Sequence, residues 1–159
     1  MTMIKDGVIT ANNWQHIVDD ATLPTSGKVT VTLQRWLTDQ DLVRDKVQGI
    51  RLTAADNVEP LKDEFHALEL IVLDMTAFTD GRSFSQARLL RDRLGFTGEV
   101  RARGDFLRDQ MFYLSRVGVN AFEFPDNTNL EDRLQAFKEF TVTYQASSDT
   151  PEPLYRRRA

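Results

Sequence analysis

Apolar and polar positions alternate most clearly where Val29, Val31 and Leu33 are interleaved with Thr30, Thr32 and Gln34, the period of two that marks a half-buried strand. Trp36 and Leu37 are read as closing it, after which Asp39 caps a short helix to about Lys46. Gly49-Ile50-Arg51-Leu52 is a short strand. Asp56 or Asn57 then caps a helix carrying Val58, Leu61, Phe65 and Leu68, with Pro60 tolerated in its first turn. The run 68–75, LELIVLDM, is nearly continuous apolar sequence, as expected of a central strand buried on both faces.

A polar loop over 76–82 follows, then a helix over about 83–94 that Gly95 stops. Residues 99–103 alternate as a strand, Gly104 turns the chain, and Asp105 is expected to cap a helix over 106–117 ended by Gly118. A last strand over 121–124 meets Pro125, and a final helix spans about 130–140. Strands alternating with helices predict a single α/β domain over 28–144, a mainly parallel sheet of about five strands with right-handed crossover helices, as an open sheet or partial barrel. Residues 1–27 scatter Ile4, Val8, Ile9, Trp14, Ile17 and Val18 among turn formers and end in Leu23-Pro24-Thr25-Ser26-Gly27, which reads as an N-terminal arm. The segment 145–159, with its serines, prolines and terminal arginines, reads as a mobile tail.

At 159 residues the chain suits one domain, and no apolar run approaches the roughly 20 residues of a membrane span. A cytoplasmic protein without membrane contact is expected, because the first residues lack a secretory apolar core. The absence of cysteine excludes disulfides, thiolate nucleophiles and cysteine-ligated clusters within the chain. A net charge of −4 argues against a nucleic-acid partner. Yet between residues 82 and 116 eight arginines face only Asp92, Glu99, Asp105 and Asp109, an asymmetry that suits an anion site, a partner face or a solvated surface.

Parallel α/β architectures bind ligands at the carboxyl ends of strands, which directs attention to Asp74 and the loop 76–82. Thr79, Asp80 and Gly81 form a tight turn, Arg82 supplies a planar cation, and the helix start at Ser83 to Ser85 exposes amides. Together they suit a small oxyanion or phosphate, or simply make a good turn and cap. Asp74 fits an acid or base, or a cap of loop amides. In the second strand-end loop Arg103, Gly104 and Asp105 lead into Arg108 and Asp109; Arg103 and Arg108 would complete an anion pocket with Arg82, or Asp105 and Asp109 are only helix-cap and intrahelical partners.

His16 and His66 have no neighbours at ligand spacing, so no metal site is expected, and phosphate-loop, dinucleotide and hydrolase signatures are missing. The cofactor stays unknown. Met111, Phe112, Tyr113 and Leu114 are too bulky for all to face a sheet; an exposed Phe112 or Tyr113 would suit a homodimer contact.

Three segments, 78–91 (FTDGRSFSQARLLR), 98–113 (GEVRARGDFLRDQMFY) and 118–123 (GVNAFE), resemble a bacterial family, domain-of-unknown-function family 934. The resemblance runs from about Val31 and is specific over 78–124. Genes of this family commonly neighbour sulfite reductase, and members carry an oxidoreductase label that rests on genomic context. On matching positions the family pattern highlights Asp80, Gly81, Arg82, Ser85, Gln86, Ala87, Arg88, Arg91, Gly104, Asp105, Arg108, Asp109 and Gln110. Many members have a cysteine before the glycine that ends the second helix, where this chain reads Ser115-Arg116-Val117-Gly118. The resemblance implies an association with assimilatory sulfite reduction, and with the basic segment it leads to the expectation of an accessory protein that binds sulfite reductase or a pathway component through the arginine-rich face. The alternatives from the residues are a small-anion-binding domain or enzyme and a structural homo-oligomer.

Overall fold

A computed structural model describes residues 2–157. Eight strands form one sheet in the order β2-β1-β8-β7-β6-β5-β4-β3. The strands are β1 (Thr2–Lys5), β2 (Val8–Ala11), β3 (Trp14–His16), β4 (Lys28–Thr32), β5 (Gly49–Thr53), β6 (Leu70–Met75), β7 (Glu99–Gly104) and β8 (Ala121–Glu123). From β3 to β8 all neighbours run parallel, and β1 joins β8 and β2 antiparallel. The α/β class and the mainly parallel sheet agree with the sequence.

The segment expected to be an arm instead supplies three strands. Asp6 and Gly7, both at positive φ, make the two-residue turn of a β1–β2 hairpin in which Lys5 faces Val8. Ile4 is fully buried and pairs with Phe122. After β2 the chain reaches β3, at the opposite edge of the sheet, through Asn12 and Asn13 alone. Three peptide steps span at most about 11 Å, whereas eight flat strands would hold these edges roughly 34 Å apart. The sheet must therefore curl, and it does so into an open half-barrel.

Strand alternation divides the side chains between the two faces. Val29, Val31, Ile50, Leu52, Ile71, Leu73, Val100, Ala102 and Phe122 point outward into the hydrophobic core beneath the helices. The other face, inside the curl, carries Thr30, Arg51, Asp74, Glu99, Arg101, Arg103 and Glu123 around an apolar floor of Leu70, Val72 and Ala121. β6 is central as expected, because Leu70 through Leu73 are all fully buried.

The outer layer differs from the sequence reading at several ends. Trp36 and Leu37 lie in α1 (Leu33–Thr38), whose cap is Thr32, its hydroxyl accepting from the Arg35 amide at 3.2 Å. Asp39 stands before α2 (Gln40–Val43) without a side-chain capping bond. The segment Glu59–Ala67 is a 3-10 helix entered through Asn57, whose side chain accepts from the Glu59 amide at 3.0 Å. α3 (Arg82–Arg88) widens into a π-helical turn at Leu89–Arg93, and Gly95 follows at positive φ. α4 (Arg108–Arg116) starts after Leu107, not at Phe106, since Gln110 Oε1 accepts from the Leu107 amide at 3.0 Å. α5 (Leu130–Gln135) continues into a 3-10 turn, Ala136–Lys138.

The tail expected to be mobile lies against α4 as far as it is described, while Arg158 and Ala159 fall outside the described residues. Ser147 Oγ donates to the Arg116 carbonyl at 2.7 Å, Ser148 Oγ to Asp92 at 2.6 Å, and α6 (Leu154–Arg157) is held by the Leu154 amide on the Tyr144 carbonyl at 3.0 Å.

Candidate functional site

The curl gathers ionisable side chains from β1, β3, β6, β7 and β8 that no sequence spacing relates. Arg101, 1% exposed, donates from Nε to Glu99 at 2.7 Å and from Nη1 to Glu123 at 2.8 Å and to Asn12 at 3.0 Å. Lys5 reaches Glu99 at 2.8 Å from the amino-end mouth of the half-barrel. At the carboxyl-end mouth Arg103 Nε is 3.4 Å from Glu123 and its Nη1 donates to Asp74 at 3.0 Å. Charges therefore alternate without a gap through the interior, from Lys5 through Glu99, Arg101, Glu123 and Arg103 to Asp74.

His16 closes this row from the far edge of the sheet. Its Nε2 lies 3.0 Å from both Glu123 oxygens, and its Nδ1 is 2.7 Å from the hydroxyl of the fully buried Thr30. Burial pushes the Glu123 carboxyl upward, but the hydrogen bond and charge of His16, joined by those of Arg101, outweigh it and hold it down at about 2. Glu123 is thus ionised, and its buried charge is compensated on three sides.

The carboxyl-end mouth opens into a cavity of about 240 Å³ lined by Arg103, Gly104, Glu123, Phe124 and Pro125. Gly104 is required there: its φ is +104°, and a Cβ would stand 2.3 Å from the Met75 carbonyl oxygen. Arg51 lies on the same inner face. Burial lowers its pKa, Asp74 and Asp19 oppose that, and the charge of Arg103 adds to it. Its Nη2 donates to the Ile17 carbonyl at 2.6 Å, and its buried Nε has no partner among the described residues. Arg103 stands at its strand end, where an oxyanion would be held, and Arg51 lies one inner-face layer below it.

The residues singled out in the sequence separate into distinct roles. Asp74, Arg103 and Gly104 belong to this mouth. Exposed Arg82 folds back on Asp80, donating from Nε at 3.0 Å and Nη2 at 2.7 Å, and this fork holds the Asp80 carboxyl down at about 2. Arg88 pairs with Asp92 at 3.1 Å along its own helix, and Arg108 turns to Asp132 and Glu139. Arg82 and Arg108 therefore do not join Arg103 around its cavity. Arg91 is a staple at the amino ends of the strands, donating to the carbonyls of Phe96 (2.7 Å), Gly98 (2.7 Å) and Gly118 (2.9 Å) and to Asn120 (3.1 Å).

The two strand-end loops are joined through one residue. The Phe78 amide donates to Asp105 at 3.3 Å, and the Phe78 carbonyl accepts from Gln110 at 2.8 Å. Asp105 thus braces the neighbouring loop rather than capping a helix. Gln86 ties α3 to the loop after β5, donating to the Thr53 and Asp56 carbonyls at 2.8 and 2.9 Å. Thr79, Gly81, Ser85 and Asp109 face solvent. Phe112 is half-buried against Phe140, centroids 4.9 Å apart, while Tyr113 is 52% exposed.

Sequence reasoning passed over His16, Thr30, Glu99, Arg101 and Glu123 as site residues. One signal was readable: Glu99, Arg101 and Arg103 alternate in a strand that is otherwise apolar, so that strand needs a polar inner face. Among the described residues no cluster of three or more His, Cys, Asp and Glu fit to hold a metal occurs, and no helix is long and apolar enough to cross a membrane.

No curated protein and no solved structure matches the chain. A family model matches from β5 onward, a stretch that includes Arg51, Asp74, Arg101, Arg103 and Glu123 and leaves out His16. That match covers residues 49–155, well over half of the chain, and the protein therefore belongs to the family described as bacterial protein of unknown function, DUF934.

Proposed function

We propose that this protein binds a small oxyanion at the carboxyl-end mouth of its half-barrel, as an accessory of assimilatory sulfite reduction. The observation that carries the reading is Arg103 lining a cavity of about 240 Å³ at the strand ends, with Arg51 on the same inner face one layer below. A cavity of that size suits an oxyanion and excludes a dinucleotide. Sulfite and sulfate are the oxyanions of the pathway that the family resemblance suggests. Arg103 meets its two carboxylates through Nε and Nη1, leaving Nη2 to donate to a ligand.

Titration calorimetry with sulfite, sulfate and phosphate tests this. Binding that is lost in Arg103→Met and retained in Arg82→Ala supports the mouth as the site. Absence of heat with all three anions at millimolar concentration would sink it.

A second reading, docking to sulfite reductase, is favoured by the exposed guanidinium groups of Arg82, Arg88 and Arg93 on and after α3, each paired with one carboxylate among the described residues. Co-purification with sulfite reductase that disappears in Arg82→Glu with Arg88→Glu would support it. Arg91 is unsuitable for that test because it is a structural staple.

A further inference from the structure

Behind the mouth, on the Glu123 carboxylate that lines it, lies a histidine whose surroundings accept either protonation state. Glu123 fixes one nitrogen of His16, since a carboxylate 3.0 Å from Nε2 through both oxygens requires a proton there. The other nitrogen faces the Thr30 hydroxyl at 2.7 Å, and a hydroxyl both donates and accepts. In neutral His16 the Thr30 O–H donates to Nδ1; in the imidazolium Nδ1–H donates to Thr30 Oγ1. Gaining or losing the proton breaks no hydrogen bond, and only the hydroxyl hydrogen rotates.

The charge balance around His16 depends on what Arg103 is bound to. The charged and polar groups that face it from every packed element are Glu123 from β8, Thr30 from β4 and, through Glu123, Arg101 and Arg103 from β7 and Asn12 from the β2–β3 link. Arg51 contacts the carbonyl of Ile17, the next residue, and Asp74 shares Arg103. While His16 is neutral, two cations, Arg101 and Arg103, offset the charge of Glu123. An oxyanion on Arg103 brings negative charge into the same row and draws Arg103 toward itself, so Glu123 is left with less compensation. A proton on His16 restores it.

We propose that His16, acting through Glu123, is the proton-accepting residue behind the mouth, so that a dianionic oxyanion binds together with a proton. The inference rests on the oxyanion reading above and adds the charge class of the ligand. Arg51 and Arg103 already face Asp74 and Glu123, so a dianion brings uncompensated charge into the row, and the imidazolium supplies a positive charge against it without a new side chain entering the site. Monoanions of similar size, such as nitrate, lack that drive.

Sulfate is the suitable probe, because its own charge does not change across the histidine range. Calorimetry of sulfate binding in two buffers of different ionisation heat, near neutral pH, reads the protons taken up directly. A net uptake between zero and about one proton per sulfate is expected, with affinity falling roughly tenfold per pH unit once pH exceeds the free protein's His16 midpoint. His16→Asn should remove the uptake. A second measurement avoids altering that residue: in a His66→Gln protein the only imidazole is His16, and its titration followed by nuclear magnetic resonance should move upward when sulfate is saturating. Equal heats in both buffers, or an unmoved His16 titration in the presence of bound sulfate, overturn the inference and leave the oxyanion site standing. Failure of sulfate to bind overturns both.

Discussion

The imidazole of His16 and the carboxylate of Glu123 meet at 3.0 Å although their strands, β3 and β8, have four others between them in the sheet. Five strand spacings in a flat sheet would keep them roughly 24 Å apart. Their contact is thus a direct measure of the curl, and it lies where the curl brings the two sheet edges together. Because Glu123 also holds Arg101 and Arg103, the same carboxylate serves the half-barrel's shape and its mouth.

Acid should weaken the fold through Glu123. Its pKa in the folded protein, about 2, lies below that of an unfolded glutamate, so the unfolded chain binds the proton more readily. The stabilisation is complete above about pH 4.3, the unfolded value, and is lost as pH falls toward 2. Its size is on the order of 3 kcal/mol. Urea midpoints measured from neutral pH down to about pH 3 should fall, and Glu123→Gln should start lower and show a shallower decline.

Arg101→Met should be among the most harmful single changes. It leaves Glu99 with Lys5 alone and strips Glu123 of a buried partner, at a cost of about 3–5 kcal/mol. Replacing Glu99, Arg101 and Glu123 together by apolar residues of similar volume should cost much less than the single change, since no buried charge is then stranded. Chemical denaturation of both proteins checks this ordering.

Two arginines of the same helical segment should behave oppositely. Arg91→Leu removes the donor of three backbone carbonyls at the amino ends of the strands and should destabilise by about 3 kcal/mol. Arg88→Leu removes an exposed i,i+4 pair and should change stability by no more than about 0.5 kcal/mol. Thermal melts of the two variants side by side would show equal effects only if the Arg91 staple contributes nothing.

Much of the sheet was legible because β4 to β8 follow simple periodicity: Val29 and Val31 alternate, and LIVLDM is apolar enough to demand a central place. The N-terminal strands were not recognised, since β1 to β3 are only three or four residues long and their inner sides mix Met3, Val8 and Trp14 with Lys5, Thr10 and His16. One strong local signal was nevertheless present, the Asp6-Gly7 pair between Ile4 and Val8 that suits a two-residue hairpin turn. Strand-end reasoning put Asp74, Arg103 and Gly104 together, and the structure places them so at the carboxyl ends of β6 and β7. Arg82 and Arg108, which clustering of arginines in sequence drew into the same pocket, turn instead to Asp80 and to Asp132 and Glu139. A helix rotates successive side chains by about 100°, so neighbours in sequence point apart, while the curl unites residues as distant as His16 and Glu123.

Gly104 joins the mouth to the backbone geometry beneath it, and its replacement tests both. At φ +104° any side chain is strained, and a Cβ 2.3 Å from the Met75 carbonyl oxygen forces β6 and β7 apart where Asp74 and Arg103 are paired. Gly104→Ala should therefore cost about 1–3 kcal/mol. It should also weaken sulfate binding, because the displaced strand carries Arg103 away from Glu123 and from its register with Asp74. A Gly118→Ala protein provides the comparison. Gly118 has a similar φ of +105° but sits at the opposite end of the strands against Arg91, so strain there should lower stability and leave anion binding intact. Equal loss of sulfate affinity in the two variants would mean that global destabilisation, and not the geometry of the mouth, governs binding.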